Sequence, residues 1–131
     1  METVIDGSIL STLVLKGTGW EKLVNIVPNS LTLDIAYREA LNVITLAVKK
    51  KVVNEEVALK LYEALNELMK STKLINSSSY IEEAFKNSLK YKISIYDSLY
   101  ITVSAEKKAR LATLDPKLKK VAEKIGILTF P

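Results

Sequence analysis

The sequence predicts an α/β sandwich of three layers, with helices on both sides of a central, mostly parallel sheet. Three observations lead there. Short apolar runs alternate with longer amphipathic segments, the pattern of parallel strands joined through crossover helices. Val4-Ile5 and residues 110–114 read as short buried strands, which suits a sheet covered on both faces. The chain has 131 residues, 48% of them hydrophobic, which fits one domain over 1–131 with one core.

Taken in order, Val4-Ile5 leads into Asp6-Gly7-Ser8, a strand ending in a turn, and residues 9–15 form a first helix. Residues 20–27 form a short amphipathic segment stopped by Pro28, and residues 29–33 form a second strand. A helix over 36–51 follows. Its apolar arc includes Ala36, Ala40, Val43, Ile44, Leu46 and Ala47, and Arg38, Thr45 and Lys49 lie opposite. Glu39 falls inside the arc, between Val43 and Leu46, with Asn42 at its edge one turn away. An acid there is either a functional group or a side chain reaching out to solvent or a lysine.

Asn54 caps the next helix, with Glu55 and Glu56 in its first turn and a stripe through Val57, Leu61, Leu65 and Leu68. Residues 73–75 form a strand, residues 77–79 a loop, and residues 80–91 a helix. A helix over 97–109 starts at Asp97, which sits among apolar and aromatic residues and serves equally as a cap or a ligand. Asp115-Pro116 is a standard helix start after the strand at 110–114. The last helix ends at Gly126, and residues 127–130 form a final strand.

The composition narrows the chemistry. With no cysteine and no histidine, the chain cannot build a disulfide, a thiol nucleophile, a cysteine zinc site or a Ser-His-Asp triad. Carboxylates without nitrogen or sulfur ligands favour hard cations such as Mg²⁺ or Mn²⁺. The net charge of +4 is compatible with a nucleic-acid partner. No apolar run spans a bilayer and no basic leader opens the chain, so a cytoplasmic protein is expected.

In a parallel sheet the ligand crevice lies at the carboxyl ends of the strands. Asp6 and Asp115 both end strands, and Asp97 and Glu39 sit on flanking helices. Four such acids would repel one another and raise some of their pKa values, and a divalent cation would relieve this.

The chain resembles the PIN-domain family, in particular its small single-domain members that act as toxins of VapBC toxin–antitoxin pairs. The resemblance spans essentially the whole chain. It rests on Val4-Ile5-Asp6-Gly7-Ser8, Glu39-Ala40-Leu41-Asn42, Tyr96-Asp97-Ser98-Leu99-Tyr100 and Thr113-Leu114-Asp115, in that order and spacing. It implies an acidic quartet of Asp6, Glu39, Asp97 and Asp115, with Ser8, Asn42 and Thr113 as supporting polar groups. It implies an Mg²⁺- or Mn²⁺-dependent endoribonuclease that leaves a 5′-phosphate and a 3′-hydroxyl. It also implies an RNA substrate, an antitoxin partner that occludes the acidic pocket, and room for a homodimer. Asp6 and Asp97 are the best direct ligands, and Asp115 and Glu39 complete the site directly or through water.

Candidates for phosphate contact are Lys49, Lys50, Lys51, Lys107, Lys108, Arg110, Lys117, Lys119 and Lys120. Tyr37, Tyr62 and Tyr100 fall on apolar helix faces and read as core. A phosphoacceptor receiver domain is disfavoured because Asp6 has no acidic neighbour on its C-terminal side. A haloacid-dehalogenase-type phosphatase needs an acid where Ser8 stands. A housekeeping RNA-processing nuclease or a silent binding module on the same fold stays open.

Overall fold

Three-residue apolar strands can bury their backbone groups only by pairing side by side beneath helices. The computed structural model describes all residues, Met1–Pro131. Its strands are β1 (Thr3–Ile5), β2 (Leu31–Leu33), β3 (Lys73–Ile75), β4 (Arg110–Ala112) and β5 (Thr129–Phe130). They form one sheet in the order β3-β2-β1-β4-β5. Every pair is parallel, so the mostly parallel sheet expected is wholly so.

Six helices connect them: α1 (Gly7–Leu15), α2 (Asp34–Lys49), α3 (Glu55–Lys70), α4 (Ile81–Tyr91), α5 (Ile95–Lys107) and α6 (Pro116–Lys124). Helices α1, α2 and α3 pack on one another, and α4 packs on α5. Right-handed crossovers impose this grouping on this strand order. From β1 the chain steps outward to β2 and β3, then returns to β4 on the other side of β1. The crevice of such a sheet therefore opens beyond the carboxyl ends of β1 and β4.

The caps explain where the helices begin. Asn54 Oδ1 accepts the Val57 N–H at 2.8 Å, as its position ahead of two glutamates suggests. Asp115 caps α6 by accepting the Lys117 N–H at 2.9 Å, with Pro116 in the first turn. The start of α5 differs from expectation. Ser94 is its cap, accepting the Asp97 N–H at 3.1 Å, so Asp97 lies in the first turn and caps nothing. Likewise Asp6 caps α1, which starts at Gly7, two residues before the expected start.

The segment at residues 20–27 forms two short 3-10 turns, Trp20–Lys22 and Val24–Ile26. Val43 and Leu46 are exposed, so the apolar arc of α2 is wider than the stripe it buries. Tyr62, expected in the core, is exposed, whereas Tyr100 is buried. The core is centred on Val4, Ile5, Ile9, Leu10, Leu33, Leu65 and Leu111. Each such side chain contributes about 1.5–3 kcal/mol over leaving it in water. No helix is long and apolar enough to cross a membrane.

Candidate active site

Asp6 is the first residue beyond β1 and is only 5% exposed. A carboxylate this deep needs donors, and the local chain supplies them. Its Oδ1 accepts the Ser8 N–H at 3.0 Å, the Ile9 N–H at 3.2 Å and the Ser8 hydroxyl. Its Oδ2 accepts the Thr113 hydroxyl, which lies just beyond β4. Ser8 Oγ in turn accepts the Leu114 N–H at 2.9 Å, and Thr113 Oγ1 accepts the Asp115 N–H at 3.0 Å. The loop after β4 is thus tied to the loop after β1, and the Asp115 backbone N–H joins the same network. Burial raises the Asp6 pKa, opposed by these hydrogen bonds.

Asp97 is half-buried in the first turn of α5, and its carboxylate has no hydrogen-bond donor. Burial first, then the charges of Asp115 and Asp6, push its pKa up. Glu39 is exposed as a residue, yet its Oε1 accepts the hydroxyl of the buried Tyr100 at 2.5 Å. Burial of that carboxylate raises its pKa, Tyr100 opposes this, and Asp6 and Asp97 add to it. Glu39 thus lies in the field of Asp6 and Asp97, and Asp97 in the field of Asp115 and Asp6. Burial and the Glu39 charge hold the Tyr100 phenol far above its usual range, so it remains a donor.

No cation of the chain offsets this charge. The ion pairs are Arg38–Asp34, Lys70–Glu67, Lys86–Glu82 and Lys119–Glu123, and none includes a site acid. The donor set is all oxygen. No three of the acids converge closely enough to ligate one ion together. An all-oxygen set of one or two carboxylates completed by waters fits Mg²⁺ or Mn²⁺.

Of the supporting polar groups, Ser8 and Thr113 bond Asp6 directly. Asn42 is exposed on α2 and takes no part in that network. The basic candidates divide by position. Lys49 is ten residues beyond Glu39 on α2 and Lys107 ten beyond Asp97 on α5, about 15 Å along each helix. Lys50, Lys51 and Lys108 lie farther still. Arg110 Nε donates to Thr3 Oγ1 at 2.7 Å and its guanidinium stacks on Phe130. Lys119 Nζ donates to the Pro131 carbonyl at 2.6 Å. Lys117 and Lys120 are exposed on α6, and Lys117 is in the turn that Asp115 caps.

Sequence reasoning missed the part played by Gly7. A Cβ there would lie 2.7 Å from Glu39 Cβ and 3.3 Å from the Ala36 carbonyl oxygen. Gly7 is thus the seat on which the base of Glu39 rests. Gly7→Ala is expected to destabilise the protein by about 1–3 kcal/mol, because fixed atoms must move apart. The gain in helix propensity, at most about 1 kcal/mol, does not offset that. A denaturant melt checks this, and an unchanged midpoint would contradict it.

The PIN domain model matches residues 3–124 of the chain. The chain is 28% identical over the full length of both proteins to Ribonuclease VapC3 of Pyrobaculum aerophilum. It superposes on the crystal structure of PAE2754 from Pyrobaculum aerophilum with a TM-score of 0.77 at 19% identity, covering 98% of this chain and 83% of that one. A toxin-antitoxin complex from Klebsiella pneumoniae gives a TM-score of 0.68 at 17% identity, covering 90% of each chain. Sheet order and the family match agree: the chain belongs to the PIN-domain family.

Proposed function

We propose that this protein is a divalent-metal-dependent endoribonuclease and the toxin of a toxin–antitoxin pair. The observation that carries the reading is the mutual charge coupling of Glu39 with Asp6 and Asp97, and of Asp97 with Asp6 and Asp115, with no lysine or arginine ion-paired to any of them. The likeness to Ribonuclease VapC3 and to a toxin-antitoxin complex supports it.

Asp6 and Asp97 would hold Mg²⁺ or Mn²⁺, with Glu39 and Asp115 completing the site directly or through water. When bound, such a cation activates a water and neutralises charge on the scissile phosphate. Ser8 and Thr113 fix both oxygens of Asp6, so that carboxylate meets its ligand without reorganising. Lys117 and Lys120 can take the flanking phosphates of a strand entering from the α6 side.

An antitoxin would act by covering this acidic cleft, and an arginine is the side chain best suited to pair its carboxylates. A homodimer is consistent with an exposed stripe on α4, Ile81, Phe85 and Leu89 at 47%, 56% and 65% exposure. The helix has Glu82 and Glu83 in its first turn and Lys86 and Lys90 farther along. An antiparallel second copy would therefore meet opposite charges beside the apolar stripe. Phe85→Glu is then expected to yield monomers in sedimentation where the wild type yields dimers; a monomeric wild type would contradict the dimer.

The activity itself is tested by incubating single-stranded RNA with the protein and either Mn²⁺ or a chelator. Cleavage with Mn²⁺ alone, leaving 5′-phosphates, is expected. Equal cleavage in chelator would overturn the metal-dependent reading.

A further inference from the structure

The Tyr100 ring is 1% exposed, locked among core side chains, so its hydroxyl has a fixed position. That hydroxyl donates to Glu39 Oε1. Glu39, by contrast, is an exposed residue of α2 with a long side chain, which loses rotamer freedom when fixed. Two features of the fold restrain it. Gly7 leaves room for the base of Glu39 and would clash if it carried a Cβ. Tyr100 holds the other end, and the Gly7 N–H faces the same phenol oxygen.

Tyr100 also lies three residues after Asp97 on α5, so the two share a helix face. One helix therefore presents a carboxylate to the cleft and, one turn on, a donor that aims a second carboxylate from α2 at the same place. Gly7 belongs to the α1 turn that Asp6 caps. Three elements that are distant in sequence thus meet on Glu39.

We propose that Tyr100 is a positioning residue, whose buried hydroxyl, with Gly7 as the seat, fixes the Glu39 carboxylate toward the cation site. This rests on the metal-dependent reading above. A phenylalanine at this position keeps the ring and its packing but releases Glu39 to solvent, and loss of an outer-shell partner typically weakens metal binding about 10–100-fold.

The test is Mn²⁺ titration calorimetry on the wild type, Tyr100→Phe, Glu39→Gln and the double variant, with circular dichroism to verify folding. Tyr100→Phe is expected to bind Mn²⁺ roughly tenfold more weakly while folded, and to lower kcat with little change in KM for RNA. Glu39→Gln is expected to weaken binding as well, and the double variant to be no weaker than Glu39→Gln alone. Wild-type affinity in a folded Tyr100→Phe, or losses that add in the double variant, would overturn the positioning role alone. Absence of Mn²⁺ binding by the wild type would overturn the metal-dependent reading and this role with it.

Discussion

Asp97→Asn is expected to abolish Mn²⁺-dependent RNA cleavage while leaving the metal-free protein as stable as the wild type, or more so. The two halves of this outcome have one cause. Asp97 is the site acid with no donor of its own and with two like charges, Asp115 and Asp6, acting on it. Its ionised form is therefore unfavourable in the free protein, and a bound cation would relieve that. Losing it is expected to cost at least about 100-fold in rate, or about 3 kcal/mol of transition-state stabilisation.

The stability half has a definite sign with pH. The Asp97 pKa is raised in the fold, so its ionised form costs stability above the folded pKa, and that cost disappears as pH falls through it. The advantage of Asp97→Asn should thus be largest at neutral pH and close on acidification. Because the group is half-exposed, screening reduces the gain to under about 1 kcal/mol, a rise in Tm of a few degrees. Melts of the two proteins across pH check this. A variant that cleaves RNA as well as the wild type would remove Asp97 from the site.

The second large effect is metal stabilisation. A cation that binds only the folded state adds about 2.7 kcal/mol at a hundred times its Kd, on the order of 8 °C in Tm for a domain of this size. Mn²⁺ should therefore raise the melting temperature of the wild type and leave that of Asp6→Asn almost unmoved. Asp6 is the natural control because its surroundings are the most rigid: three donors on one oxygen and Thr113 on the other. An unchanged wild-type melt in saturating Mn²⁺ would contradict a preformed site.

Much of the fold was legible in the sequence because its signals are local. The caps at Asn54 and Asp115 and the short apolar strands depend on neighbours a few residues away. The start of α5 was misread because Ser94 and Asp97 are both good capping residues, three apart, and local preference does not choose between them. The structure chooses Ser94, and Asp97 is left with no capping role. Glu39 was picked out by an apolar arc of which Val43 and Leu46 turn out exposed. The bond that gives Glu39 its place spans 61 residues to Tyr100 and leaves no periodic trace. The same limit applied to the lysines, since composition does not tell which end of a helix faces the crevice. Only the sheet order, with its reversal between β1 and β4, decides that.

The central claim is that carboxylates from both ends of the chain would hold a hydrated divalent cation. Anomalous scattering from crystals grown with Mn²⁺ tests it most directly. The account predicts a peak in the cleft between Asp6 and Asp97, with Glu39 and Asp115 around it. A peak elsewhere on the protein, or none there at saturating Mn²⁺, would contradict it.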